Sequence, residues 1–126
     1  MEKKISPSME DYLEAIYFLQ QTNQDVRVTD LACKLNISKP SVNRAINNLK
    51  KKNFVEHENY GLLKLTESGF KTAKNIAIRH VTIRKFLCDL LGVKKEIAEI
   101  EACRLEHSMS NDTIKKLQNY LKEVGM

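Results

Sequence analysis

Cys103, Glu106 and His107 fall within EACRLEHSMS (101–110), at offsets of three and four residues. On an α-helix such offsets share one face. Thiolate, carboxylate and imidazole are all ligands for transition metals. Matching donors occur in two other places: Asp11 and Glu14 stand three apart in SMEDYLEAIYFLQ, and His80 lies in IAIRHVTIRKF. Taken singly, each has an ordinary explanation. Asp11 is an acidic group near a helix N-terminus, Glu14 a surface carboxylate, His80 a satisfied core histidine and Cys103 a small buried hydrophobe. As a set they offer mixed O, N and S donors, suited to Mn2+, Fe2+, Co2+, Ni2+ or Zn2+ and not to Ca2+. Spacing alone leaves open whether these faces converge.

The same residue types can run hydrolysis or oxygen chemistry, but the signatures of those activities are missing. The sequence has no H-E-x-x-H motif, and Arg104 stands three before His107, so the Glu-x-x-His unit of di-iron bundles is absent too. The expectation is a binding protein without catalytic residues.

Helices must position these donors. Ser8 is the expected cap of a first helix carrying Tyr12, Leu13, Ile16, Tyr17 and Leu19 at helical spacing. Asn23, Gln24 and Asp25 break it, and a short second helix follows from near Thr29 to near Asn36. In ISKPSVNRAINNLKKKNF, Ser38 can cap and Pro40 fits only a first helical turn, which places the start of a third helix. Val42, Ala45, Ile46 and Leu49 form its buried stripe. FVEHENYGLLKLTESG alternates about a turn at Asn59-Tyr60-Gly61, the pattern of a two-stranded hairpin. Thr66 or Ser68 then opens a long helix over roughly 67–90 that Gly92 terminates, Lys94 to Met109 makes another, and Ser110 caps a last one through Leu121.

This order predicts a mainly α fold: a winged helix-turn-helix with a small β-hairpin wing over residues 1–72, then a helical region over 73–126, to which the family resemblance given below assigns metal binding and dimerisation. A recognition helix must carry short polar or basic groups near its N-terminal end. Ser38, Lys39, Pro40, Ser41, Asn43, Arg44 and Asn47 occupy that end, with Thr29 on the preceding helix, Lys51 beyond, and Tyr60 and Lys64 on the wing as further DNA contacts. Double-stranded operator DNA is the expected partner. The apolar positions Ile83, Phe86, Leu87, Leu90 and Leu91 exceed what one small helical layer needs, so some are expected to bury against a second subunit.

Composition agrees. The 126 residues carry a formal net charge of +5, which permits a polyanionic partner, and 42% are hydrophobic, enough for a core. With 4 Gly, 2 Pro and no Trp, long helices are expected over a turn-rich β fold. No apolar run nears the ~20 residues of a membrane span, and MEKKISPSMEDY lacks the apolar stretch of a signal peptide, so the expected location is the cytoplasm. Three Cys, an odd number, argue against a disulfide framework.

SPSMEDYLEAIY, SKPSV, IRH and EACRLEHSMS together resemble the diphtheria-toxin-repressor family of metal-dependent transcriptional repressors, closest to its compact manganese-sensing branch. The resemblance runs from about residue 6 to the end, and EACRxEHxMS is its most specific part. It implies a homodimer whose N-terminal winged helix binds an operator when Mn2+ or Fe2+ occupies sites between the first helix and the dimerisation helices. Asp11, Glu14, His80, Glu106 and His107 fall on ligand positions of the manganese branch. Cys103 departs from that branch, which has a carboxylate there, and matches the iron sensors; Asp11 stands where the iron sensors carry Met. Arg84 stands where the iron sensors have a ligating Glu, which weighs against their ancillary site; for Glu99 the alternatives are a substitute for an ancillary histidine and a solvated side chain, the latter expected. The resemblance is to the compact architecture, and no SH3-like C-terminal domain of the longer iron sensors is expected.

The rival reading is a winged-helix regulator that senses a small molecule or thiol oxidation without metal, with Cys103 as the redox switch. Cys33 in ACKL and Cys88 in FLCDLLG are expected in the core.

Overall fold

Local chemistry sets most element boundaries in the computed structural model, which describes residues 7–22, 25–58 and 61–126 in two compact units, Met1–Lys74 and Asn75–Met126.

In the first unit, helix α1 spans Pro7–Gln21. Ser8, the expected cap, therefore lies within the helix as its second described residue. Proline is favoured as an initiator because its missing N–H has no helical partner to lose. Asn23 and Gln24 of the expected break lie outside the described residues. Helix α2, Val28–Leu35, starts where the Asp30 carboxylate accepts the Arg27 backbone N–H at 2.8 Å, and it ends at Asn36 in the left-handed region, φ 54°. Helix α3, Lys39–Lys51, begins as expected: Ser38 Oγ accepts the Ser41 N–H at 3.4 Å and Pro40 sits in the first turn.

Val42, Ala45, Ile46 and Leu49 turn inward from α3 and pack with Leu13, Ile16 and Leu31. The hairpin pairs β1, Val55–His57, with β2, Leu63–Leu65, antiparallel, Glu56 opposite Lys64. Val26 adds an isolated bridge to Leu63, whose N–H donates to the Val26 carbonyl at 2.7 Å. Of the turn, Asn59 and Tyr60 lie outside the described residues; Gly61 has φ 74°.

Helix α4, Glu67–Lys85, is capped by Thr66 and not Ser68: Thr66 Oγ1 accepts the Gly69 N–H at 3.0 Å and donates to the Asn53 carbonyl at 2.7 Å. Gly69 abuts the Phe54 carbonyl so closely that a Cβ would lie 1.9 Å from its oxygen. Cys33, expected in the core, is exposed, because the inward face of α2 is set by Leu31 and a helix turns ~200° over two residues.

In the second unit, α4 does not run on as a regular helix to residue 90. It widens into a π-helical turn, Phe86–Leu90, closed by Leu91 N–H donating to the Phe86 carbonyl at 3.1 Å, and the chain then reverses at Gly92, φ 74°. Cys88, also expected in the core, is half-buried there. Helix α5 spans Lys95–Leu105 and α6 spans Asn111–Glu123, with Ser110 Oγ accepting the Thr113 N–H at 3.1 Å. Ile83, Ala102 and Ile114 centre the core, flanked by Leu87, Met109 and Leu117. Of the expected interface residues Ile83 is thus internal, while large apolar exposure falls on Leu91, Ile97 and Ile100, at 58%, 48% and 56%. Among the described residues no helix is long and apolar enough to cross a membrane.

Candidate metal centre and nucleic-acid interface

Helix α5 stops at Leu105, four residues short of the expected Met109. Glu106 is its C-cap, φ −59° and ψ −27°, and His107 lies in the following turn. The reason is downstream: Ser110 must be extended, φ −71° and ψ 159°, to cap α6, so the chain leaves the helix before it. The last helical turn and the cap still bring the donors together. Cys103, Glu106 and His107 each offer one ligand atom, all within 4.8 Å of one another.

Glu106 is the hub. It is 1% exposed, a depth at which a carboxylate needs strong partners. Its Oε2 lies 2.9 Å from His80 Nδ1, while Oε1 accepts no hydrogen bond from any described residue and faces His107 Nε2 at 3.5 Å. His80 comes from the buried side of α4, and its other ring nitrogen, Nε2, lies 2.7 Å from Glu99 Oε1. The hydrogen bond to Glu106 raises the His80 pKa to about 9 against the opposing effect of burial, with the Glu99 hydrogen bond adding to it. Glu99 feels burial pushing its carboxyl up, but the His80 hydrogen bond and the charges of His80 and Arg84 prevail and hold it below its ordinary value. Glu99 is exposed, as expected of a solvated side chain, and is in addition bonded to a candidate ligand, with Arg84 Nη1 at 3.5 Å from its Oε2. No local signal could have found it, since the contact spans 19 residues.

This chemistry fits a divalent transition metal. A buried carboxylate oxygen without a donor, beside an imidazole and a thiol, is an arrangement that a cation satisfies. A ligating histidine keeps its second nitrogen on a carboxylate; His80 has a carboxylate on each nitrogen, so to ligate it would give up one proton and keep one of the two carboxylates as its support. Asp11 and Glu14 stand one turn apart on α1, Asp11 half-buried and Glu14 8% exposed.

Arg79, which the sequence reading passed over, is buried beside His80. Its Nε donates to the Glu106 carbonyl at 2.7 Å, its Nη1 to Asn111 Oδ1 at 2.8 Å, and its Nη2 to the Met109 carbonyl.

On the first unit, α3 leaves Lys39, Pro40, Asn43, Arg44, Asn47, Lys50 and Lys51 exposed opposite its buried stripe, with Ser41 half-buried at its start. Ser38 is engaged as the cap, and Thr29 is exposed in the first turn of α2. Lys64 on β2 is paired with Glu58 at 3.6 Å. Tyr60 lies outside the described residues. Lys50 Nζ lies 3.4 Å from His57 Nδ1, and burial together with that charge lowers the His57 pKa.

The model of the iron-dependent repressor N-terminal DNA-binding domain matches residues 4–63, and that of the iron-dependent repressor metal-binding and dimerisation domain matches residues 66–125. The chain belongs to the iron-dependent repressor family. This family member is 38% identical over 120 residues to an HTH-type transcriptional regulator of Methanocaldococcus jannaschii, covering 94% of this chain and 96% of that one. It is 34% identical over 112 residues to the HTH-type transcriptional regulator MntR of Bacillus subtilis, covering 89% and 78%. The solved structure of the manganese regulator SloR superposes with a TM-score of 0.83 at 27% identity over 94% of this chain and 55% of that one, so the chain spans about half of that longer protein. The resemblance to the manganese-sensing side of the family, read first from EACRLEHSMS and its companions, is thereby supported.

Proposed function

We propose that this iron-dependent repressor family member acts in the cytoplasm as a metal-dependent repressor, binding operator DNA as a homodimer when Mn2+ or Fe2+ is bound, and so controls metal-ion homeostasis. The observation that carries the reading is the buried Glu106 carboxylate, with one oxygen on His80 and the other facing His107 without a hydrogen-bond donor.

The ligand set we propose is Asp11, Glu14, His80, Cys103, Glu106 and His107. Three carboxylates favour Mn2+, while the Cys103 thiolate shifts preference toward Fe2+, Co2+ or Zn2+; the balance leans to Mn2+. When bound, the ion would supply positive charge to the carboxylates and take the place of the proton that His80 holds between Glu106 and Glu99. Its effect on DNA affinity is limited to its differential affinity for the DNA-competent arrangement.

We assign residues 1–72 to DNA binding and 73–126 to metal binding and dimerisation. Arg44, Asn43 and Asn47 are placed to read base edges, Arg suiting guanine and Asn adenine. Thr29, Lys39, Ser41 and Lys51 serve the phosphates, Ser38 and Pro40 start the helix close to the backbone, and Tyr60 and Lys64 contribute from the wing. Lys64 exchanges Glu58 for a phosphate on binding. Exposed Ile97 and Ile100, one turn apart on α5, with Leu91, support burial against a second copy.

The test is titration of metal-free protein with Mn2+, Fe2+ and Zn2+ under reducing conditions, reading operator affinity for each ion. A rise with Mn2+ or Fe2+ is expected. Full operator affinity without metal would overturn the reading in favour of a metal-independent sensor.

A further inference from the structure

Resting on the metal reading above, we propose that Arg79 is the positioning residue for the Glu106 and His107 ligands: one guanidinium fixes the turn from Glu106 to Asn111 that presents them. The geometry is three-pronged. Three different nitrogens of one planar fork reach three acceptors, the Glu106 carbonyl at 2.7 Å, the Met109 carbonyl, and Asn111 Oδ1 at 2.8 Å. These acceptors bracket His107 on both sides and extend into the first residue of α6.

A helix C-terminus leaves carbonyls without helical donors, and the turn that follows has no ladder to hold it. Arg79 supplies those donors from α4. Its neighbour His80 meets the carboxylate of the same Glu106, so consecutive residues hold this glutamate by its backbone and by its side chain. All three acceptors of Arg79 are neutral. Burying a cation, 8% exposed, on neutral groups is costly, and apolar side chains would fill the space at less cost. What they cannot do is set the direction of three acceptors at once. Lysine cannot do so either, because its ammonium is a point donor on a flexible stem.

The experiment compares the full chain with Arg79→Lys and Asn111→Ala. Amide hydrogen exchange over residues 106–110 is read in the metal-free protein. The visible absorption of added Co2+, whose bands report ligand geometry and thiolate contact, and Mn2+ affinity by calorimetry are read on the loaded protein. Arg79→Lys should fold with lower urea stability, speed exchange in the turn, change the Co2+ spectrum and weaken Mn2+ binding by about tenfold or more, as loss of a group supporting a ligand does. Asn111→Ala, which removes one acceptor and leaves the charge in place, should show the same changes to a smaller degree; it carries the test if Arg79→Lys fails to fold. A folded variant with parental exchange, spectrum and affinity overturns the inference alone. A parent chain that binds neither ion overturns the metal reading and this inference with it.

Discussion

His80 Nδ1 lies 2.9 Å from Glu106 Oε2, and the pair links α4 to the end of α5 at a point where both side chains are buried. Because this hydrogen bond is the largest cause raising the His80 pKa to about 9, the metal-free protein holds the imidazolium at neutral pH. The folded value exceeds the unfolded one, near 6.5, so the stabilisation is fully present below about pH 6.5 and is lost as pH rises through about 9. Urea unfolding of the metal-free chain between pH 6 and pH 10 should show this decline, and His80→Gln should flatten it. An equal slope in parent and variant would remove His80 as its source.

His107→Ala should abolish metal-enhanced operator binding and leave a folded chain, since imidazole loss removes a donor without touching α3. Cys103→Glu replaces a soft donor with a hard one and should raise selectivity for Mn2+ over Zn2+. Metal titrations of operator binding on both variants check this. A parental metal response in His107→Ala would place the site elsewhere.

The start of α3 was legible in the sequence because Ser38 and Pro40 act on their own backbone, within three residues. The end of α5 was not. It depends on Ser110 needing an extended conformation for α6 and on Arg79 reaching carbonyls 27 and 30 positions away. Glu99 and His80 meet for a similar long-range reason, and the exposure of Cys33 follows from which side of α2 faces the core. The candidate ligands of residues 80–107 were nameable from their types and spacing. Their supports were not, because an arginine in a helix gives no local sign of what its guanidinium will hold.

Arg44→Ala and Asn43→Ala should each weaken operator binding by ~1–3 kcal/mol more than binding to unrelated DNA. Lys51→Ala should weaken both alike and reduce the salt dependence, as loss of a phosphate contact does. Anisotropy titrations at two salt concentrations separate the cases; an unchanged specificity ratio in Arg44→Ala would move the recognition face off α3.

Ile100→Lys, at a position 56% exposed, should leave the monomer folded and shift it away from the dimer. Sedimentation at micromolar concentration checks this. A parent that sediments as a monomer would contradict the homodimer itself.

The contact of Gly69 with the Phe54 carbonyl makes the first turn of α4 and the root of the wing a single joint with no clearance. Such a joint cannot be loosened by degrees: any side chain larger than hydrogen must push backbone against backbone. The hairpin's orientation is thus inherited from α4 the way a rudder's is from its post, and an engineer wishing to re-aim the wing would have to begin at that glycine and not in the hairpin loop.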